Sequence, residues 1–162
     1  MPFLNSLVYI LCMRENSKYH QGRFHPRNPD KYKGDYNNII YRSSWEVKFM
    51  QYCDRNPAIL EWGSEEFFIP YYDPTSKKVR RYFPDFIIKV HENDGSVKKY
   101  VVEVKPKRQT VPPVETAKKR KKTLINETLT YAKNVAKWKA AKEWCADHMM
   151  NFKIITEYEL GL

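Results

Sequence analysis

The chain has 162 residues, 42% of them hydrophobic and 15% aromatic, enough for one domain with a real core and too apolar for a disordered chain. A net charge of +10 favours an anionic partner, nucleic acid before an acidic membrane surface. Cys12, Cys53 and Cys145 form no CxxC pair, and His20, His25, His91 and His148 make no zinc-ligand spacing; neither a disulfide framework nor a zinc site is indicated, and a reducing, intracellular setting is expected.

The first stretch, MPFLNSLVYILCMR, is apolar but too short to span a bilayer. It lacks the basic flank and small-residue cleavage site of a signal peptide, so secretion is not expected, and Met13 offers an alternative start. Residues 14–38 are polar, basic and broken by Gly22, Pro26, Pro29 and Gly34. They read as an extended arm or loop whose Tyr, Phe and Arg residues pack on the domain, the reading favoured here, or touch a nucleic acid; this divides the chain into an irregular basic arm (1–38) and one domain (39–162). Next, Ser43 stands three residues before Glu46, a capping-box spacing, and Trp45, Phe49, Tyr52 and Cys53 recur at helical intervals before Pro57. This predicts a helix over 43–54.

Residues 58–105 read as strands, with turn chemistry at Asp73-Pro74-Thr75-Ser76 and at Asn93-Asp94-Gly95. The second turn is a strong hairpin signal, because Asp-Gly tolerates positive φ. Phe86–His91 and Val97–Lys105 should therefore pair antiparallel. A helical stretch is expected from near Glu115 to about His148, in one or two helices, with Ile125, Leu129, Ala132, Ala136, Ala140 and Trp144 on one face. A last strand is expected near Phe152–Thr156. The order of helix, strands, helix and strand predicts an α/β fold: a mixed central sheet flanked by helices.

The stretch YVVEVKPK (100–107) places Glu103 and Lys105 two apart in an apolar strand, so both side chains leave the same face. Such a pair contributes little when exposed. Upstream, however, Asp85 opens the apolar strand FIIKV, and a hairpin would let Asp85 and Glu103 converge at one end. Two converging carboxylates, completed by the backbone carbonyl of Val104, suit a hard cation, Mg²⁺ or Mn²⁺. A cation there would activate water and neutralise charge on a scissile phosphate. Lys105 would orient that water or stabilise the developing charge.

The arrangement YFPDF … VVEVK, with 18 residues from Asp85 to Glu103, resembles the core of PD-(D/E)xK nucleases. The block YRSSWEVKFMQYCDRNPAILEW, followed by IPY, RYFPDF and VEVKPK, resembles the endonuclease subunits of heteromeric transposases. With GRFHPRNPDKYKGDYNNIIYRSSWE added, the chain from about Gln21 onward looks like the head-completion nucleases of T-even-type bacteriophages. The resemblance implies a restriction-endonuclease-like core and a magnesium-dependent endonuclease acting in head completion after DNA packaging. It further implies work in the host cytoplasm or on the virion, with portal or head proteins as partners. By it, Asp85, Glu103 and Lys105 carry over as the catalytic core and Glu46 as an acid supplied by the helix before the sheet, in competition with its capping role. The transposase pattern allows glutamine at the second metal-ligand position; Glu103 is an acid. A non-catalytic DNA-binding assembly or plug protein on the same fold is the alternative.

Between Lys107 and Lys142 stand eleven Lys or Arg and two acids, a net +9. Lys107, Arg108 and the run Lys118, Lys119, Arg120, Lys121 and Lys122 follow the proposed catalytic strand and are expected to contact DNA phosphates, with Arg80 and Arg81 as weaker candidates. The competing reading is a solvated basic helix face. Nothing ties base-reading side chains to a groove, so little sequence specificity is expected. A membrane-surface role would need an amphipathic helix with a large apolar face, which is missing.

Overall fold

The computed structural model describes residues 21–161. The apolar N-terminal stretch, Cys12, Met13, His20 and the first part of the arm lie outside the described residues. A short hairpin pairs β1 (Gly22–Phe24) with β2 (Ile39–Tyr41). Helix α1 (Ser44–Arg55) follows, one residue later at each end than its pattern predicts.

The segment 21–38 is joined to the domain. Phe24 and Tyr32 set their rings edge-on to Trp62, with centroids 5.8 and 4.7 Å away. The Lys31 ammonium donates to the carbonyls of Cys53, Asp54 and Asn56 at 2.8–3.0 Å, using all three donors at the negative end of α1. The buried Asp54 carboxylate accepts the Arg27 and Asn28 N–H groups at 2.9 Å. These contacts fix α1, and with it Glu46, against the sheet.

The central sheet runs β3 (Ile59–Ser64), β6 (Phe86–His91), β7 (Val97–Val104), β8 (Asn151–Ile155) in spatial order. The first three are antiparallel and β8 is parallel to β7, so the sheet is mixed as expected. The hairpin β6–β7 forms with Phe86 opposite Val102 and His91 opposite Val97. Its turn needs Gly95 at φ +83°, a value that L side chains rarely adopt, and Asp94 accepts the Ser96 N–H and hydroxyl. Alternation then sorts the two faces. Phe86, Ile88, Val90, Val102 and Val104 pack with Phe49, Met50 and Cys53 of α1; each large apolar side chain so buried contributes about 1.5–3 kcal/mol gross. Glu103 and Lys105 leave the opposite face.

That opposite face is covered by α2 (Lys121–Asp147), which crosses from β7 to the parallel β8, and by a separate hairpin of β4 (Ile69–Asp73) and β5 (Lys78–Tyr82). Ile69, Tyr71 and Tyr82 pack against Ala141, flanked by Ala136, Ala140 and Trp144. Two expectations for this helix are corrected. It begins at Lys121 rather than near Glu115: residues 111–120 are irregular, with a single turn at 117–118, and Arg120 is extended (φ −66°, ψ 140°). Its most buried residues are Asn134, Trp138, Ala141 and Cys145; Ala136, Ala140 and Trp144 of the expected face pack inward beside them, whereas Ile125 and Leu129 are exposed. A short α3 (Glu157–Leu160), which the sequence reading did not anticipate, closes the fold with a Thr156–Glu159 capping box. No helix among the described residues is long and apolar enough to cross a membrane.

Candidate active site

Pro84 fixes its own φ and biases Phe83 to extended backbone, so the chain leaves β5 and re-enters the sheet at Asp85. Asp85 is then held from both sides: its carbonyl accepts the Glu65 N–H at 3.2 Å, and its Oδ2 accepts the Val104 N–H at 2.8 Å. That second bond crosses from the start of β6 to the end of β7 and brings Asp85 beside Glu103. Lys105 is locked in turn, its N–H donating to the Ile155 carbonyl at 2.9 Å beyond the last residue of β7.

Glu103 is 2% exposed, a position a carboxylate tolerates only with partners. Its Oε1 lies 3.0 Å from the Lys105 ammonium, and its Oε2 accepts the Tyr82 hydroxyl at 2.6 Å. The Glu103–Lys105 pair therefore forms as the strand spacing requires, but it is buried rather than on an exposed face. Burial, then the neighbouring Glu103 charge, pushes the Asp85 carboxyl well above the usual carboxylate range; Lys105 and the Val104 N–H pull the other way without cancelling it. Burial pulls Lys105 down, but Glu103, Asp85 and Glu46 more than offset it, and its ammonium is held above the ordinary lysine value. Two crowded carboxylates with one ammonium leave an excess of negative charge that a cation would relieve.

Glu46 reaches this group only electrostatically, contributing to the environments of both Asp85 and Lys105. Its oxygens are engaged at the start of α1. Oε2 accepts the Arg42 N–H at 2.8 Å and Oε1 accepts the Ser43 hydroxyl at 2.9 Å, while Ser43 Oγ accepts the Glu46 N–H at 3.1 Å. The capping arrangement is thus present with one change: the backbone donor is Arg42, not Ser43. Arg42 itself pairs with Glu65.

The donor set fits a hard divalent cation. Asp85 Oδ1 meets no donor among the described residues, and Glu103 and the Val104 carbonyl are oxygen donors at the same strand end. Among the described residues no three His, Cys, Asp or Glu side chains gather as a complete cage. Magnesium suits such a partial set, since it keeps several waters of its own.

Two further groups in this environment escaped the sequence reading. Tyr82 is one, through its bond to Glu103. Lys137, on α2, is the other: its ammonium stands 5.5 Å from the Tyr82 ring centroid and 5.9 Å from that of Tyr71. Burial lowers the Lys137 pKa, and Glu103, Lys105, Lys133 and Asp85 all act on it. Tyr82 reaches Glu103 through the fold of a separate hairpin, which no local pattern announces, and Lys137 is one lysine among many in the sequence.

The expected DNA-contacting residues fall into two groups. Lys107 and Arg108 occupy a single 3-10 turn (Lys107–Gln109), and Lys118, Arg120, Lys121 and Lys122 lie exposed around the start of α2. Lys119 stands apart, donating to the Val114 carbonyl at 2.9 Å and to Glu127 at 2.7 Å. Arg80 is engaged with Ser76 and the buried Asp73, and Arg81 lies over the Phe68 ring.

A mixed sheet that presents Asp85 and Glu103-Val104-Lys105 from one hairpin end, between helices, is the restriction-endonuclease-like architecture. The family described as TnsA-like endonuclease N terminal matches residues 56–157, and the chain belongs to it. The head completion nuclease of Enterobacteria phage T4 is 41% identical over 141 residues, covering 85% of this chain and 91% of the phage protein. No solved structure matches the chain. The family match takes in Asp85, Glu103 and Lys105 but begins after Glu46.

Proposed function

We propose that the chain is a magnesium- or manganese-dependent DNA endonuclease that acts in phage head completion, after DNA has been packaged. The observation that carries this reading is the buried Asp85–Glu103–Lys105 group, two carboxylates and an ammonium held at one strand end by the Val104 N–H and the Tyr82 hydroxyl. Asp85, Glu103 and the Val104 carbonyl would hold the cation, which when bound supplies an activated water and charge neutralisation at the phosphate. Lys105 puts a fixed positive charge where negative charge develops on the phosphoryl oxygens. Tyr82 keeps Glu103 in one orientation. Pure protein with Mg²⁺ should nick and linearise supercoiled plasmid, and EDTA should stop it; plasmid left intact under saturating Mg²⁺ would refute the reading.

The basic cluster supplies sequence-independent DNA affinity. Helix α2 starts with Arg120 as N-cap, no side-chain cap and no acidic residue in its first turn. Cations at that end oppose the helix dipole, and DNA phosphate would relieve both the charge and the unpaired N–H groups. Changing Lys118, Arg120 and Lys122 together to Gln should flatten the plot of log affinity against log salt by roughly 2–3 units. An unchanged slope in filter binding would mean that this run faces solvent only.

Glu46 separates two roles by a single substitution. Gln at this position keeps one oxygen acceptor, so Glu46→Gln should lose no more than the about 0.5–2 kcal/mol of a full cap deletion. If its charge also serves the site, Glu46→Gln cleaves plasmid poorly at saturating Mg²⁺; full activity assigns Glu46 to the cap alone. The head-completion role would bring the protein to portal or head proteins in the host cytoplasm or on the virion.

A further inference from the structure

A concavity lies near the site, away from the Asp85–Glu103–Lys105 group. It has a volume of about 700 Å³ and runs between residues 108–114 and the first half of α2. One wall carries Arg108, Gln109 and Pro112; the other carries Asn126, Tyr131 and Asn134. Asn134 is the unusual member. It is 6% exposed and lines the pocket, yet its side-chain amide makes no hydrogen bond among the described residues. Its amide atoms are not among the fully buried unpartnered ones; they reach the pocket and are open to a group that enters it. Tyr131, one helical turn earlier, is half-buried and stacks on no aromatic ring among the described residues.

The pocket is close to the chemistry along both walls. Arg108 follows Lys105 by three residues, at most about 10 Å of chain. Asn134 and Lys137 are i and i+3 on α2, neighbours on the helix surface, and the Lys137 ammonium stands 5.5 Å from the ring centroid of Tyr82, whose hydroxyl bonds Glu103.

Resting on the nuclease reading, we propose that this pocket receives one unpaired nucleobase of the DNA strand next to the scissile phosphate. The substrate class is then DNA with single-stranded or unpaired nucleotides at the cleavage point, rather than uniform duplex. An asparagine amide offers both an acceptor and donors to a base edge, which a duplex would keep engaged or stacked. Tyr131 provides a face for stacking, and Pro112 closes the pocket opposite α2. Two additional amides, Gln109 and Asn126, give the site tolerance for more than one base. The flanking cations track the phosphates on either side, as single-strand grooves do.

The test is binding, measured with EDTA present so that it does not depend on cleavage. The probes are a 24-nucleotide duplex, the same duplex with one central unpaired adenine, and that bulge made abasic. Wild type should prefer the bulged adenine over the other two by roughly 5- to 100-fold, the range of one stacked base. Asn134→Leu, of similar volume, and Tyr131→Ala should each lose that preference while binding plain duplex as wild type does. Thermal melts identify a variant that has failed to fold, and Tyr131→Ala, at a partly exposed position, keeps the test alive if Asn134→Leu does so. Equal affinity of wild type for all three probes, or an undiminished preference in folded variants, overturns the proposal. A base preference in a protein that cuts no plasmid would remove the nuclease reading and leave the pocket.

Discussion

Asp85→Asn and Glu103→Gln should each lower plasmid cleavage by at least about 10³-fold, more than the 10²–10³ typical of deleting one preorganised donor. Both remove a ligating charge and keep the shape. The diagnostic feature is that stability should move the other way for Asp85. Its ionised carboxyl is penalised by burial and by Glu103, so in metal-free protein the folded-state pKa lies above the unfolded one. A group raised in this way favours folding while protonated and loses that advantage as pH climbs beyond the ordinary carboxylate range. Asn carries no such charge and can still accept the Val104 N–H, so metal-free Asp85→Asn should melt at or above the wild-type temperature at pH 8, with the difference shrinking towards pH 4. Lower stability at pH 8 together with retained cleavage would mean that Asp85 is a structural acid.

Lys105→Met should fail in both respects. Cleavage should fall by orders of magnitude, because among the described residues no other ammonium forms an ion pair with Glu103. Stability should fall as well, since Glu103 would remain buried without its counter-charge. Removing one partner of a buried pair costs about 3–5 kcal/mol; the loss here should be smaller, because about a quarter of the Lys105 side chain remains exposed. Adding Glu103→Gln to Lys105→Met should then restore much of the stability while activity stays lost, a coupling that chemical denaturation reads directly. If the double variant is as unstable as the sum of the two singles, the pair is not coupled and Lys105 acts elsewhere.

The hairpin and its carboxylates were legible because each is written in local chemistry: an Asp-Gly turn, Pro84 before Asp85, and a glutamate and a lysine two apart in a strand. What was missed depends on tertiary packing. Residues 115–120, with Glu115, Ala117 and three basic side chains, look helical by composition, yet Pro112 and Pro113 precede them and no side chain caps the helix before Lys121, where α2 begins. Ile125 and Leu129 fit a helical stripe but are about half exposed; among the described residues, the part of α2 packed in the cluster over the sheet is Ala136 to Trp144. Tyr82 bonds to Glu103 only because the β4–β5 hairpin folds over the sheet, a placement that no strand period encodes. Lys137 became distinguishable from its neighbours once α2 was laid against Tyr71 and Tyr82. Glu46 shows the opposite limit: its capping geometry was legible, and a second role cannot be read from the cap.

Whether Asp85 and Glu103 jointly hold a divalent cation is decided by titrating Mn²⁺ into chelator-stripped protein and following the heat of binding. Wild type should take up Mn²⁺ and gain melting temperature with it, while Asp85→Asn and Glu103→Gln take up none and gain nothing. Uptake of the same stoichiometry and affinity in all three proteins, or none in wild type, would contradict the site.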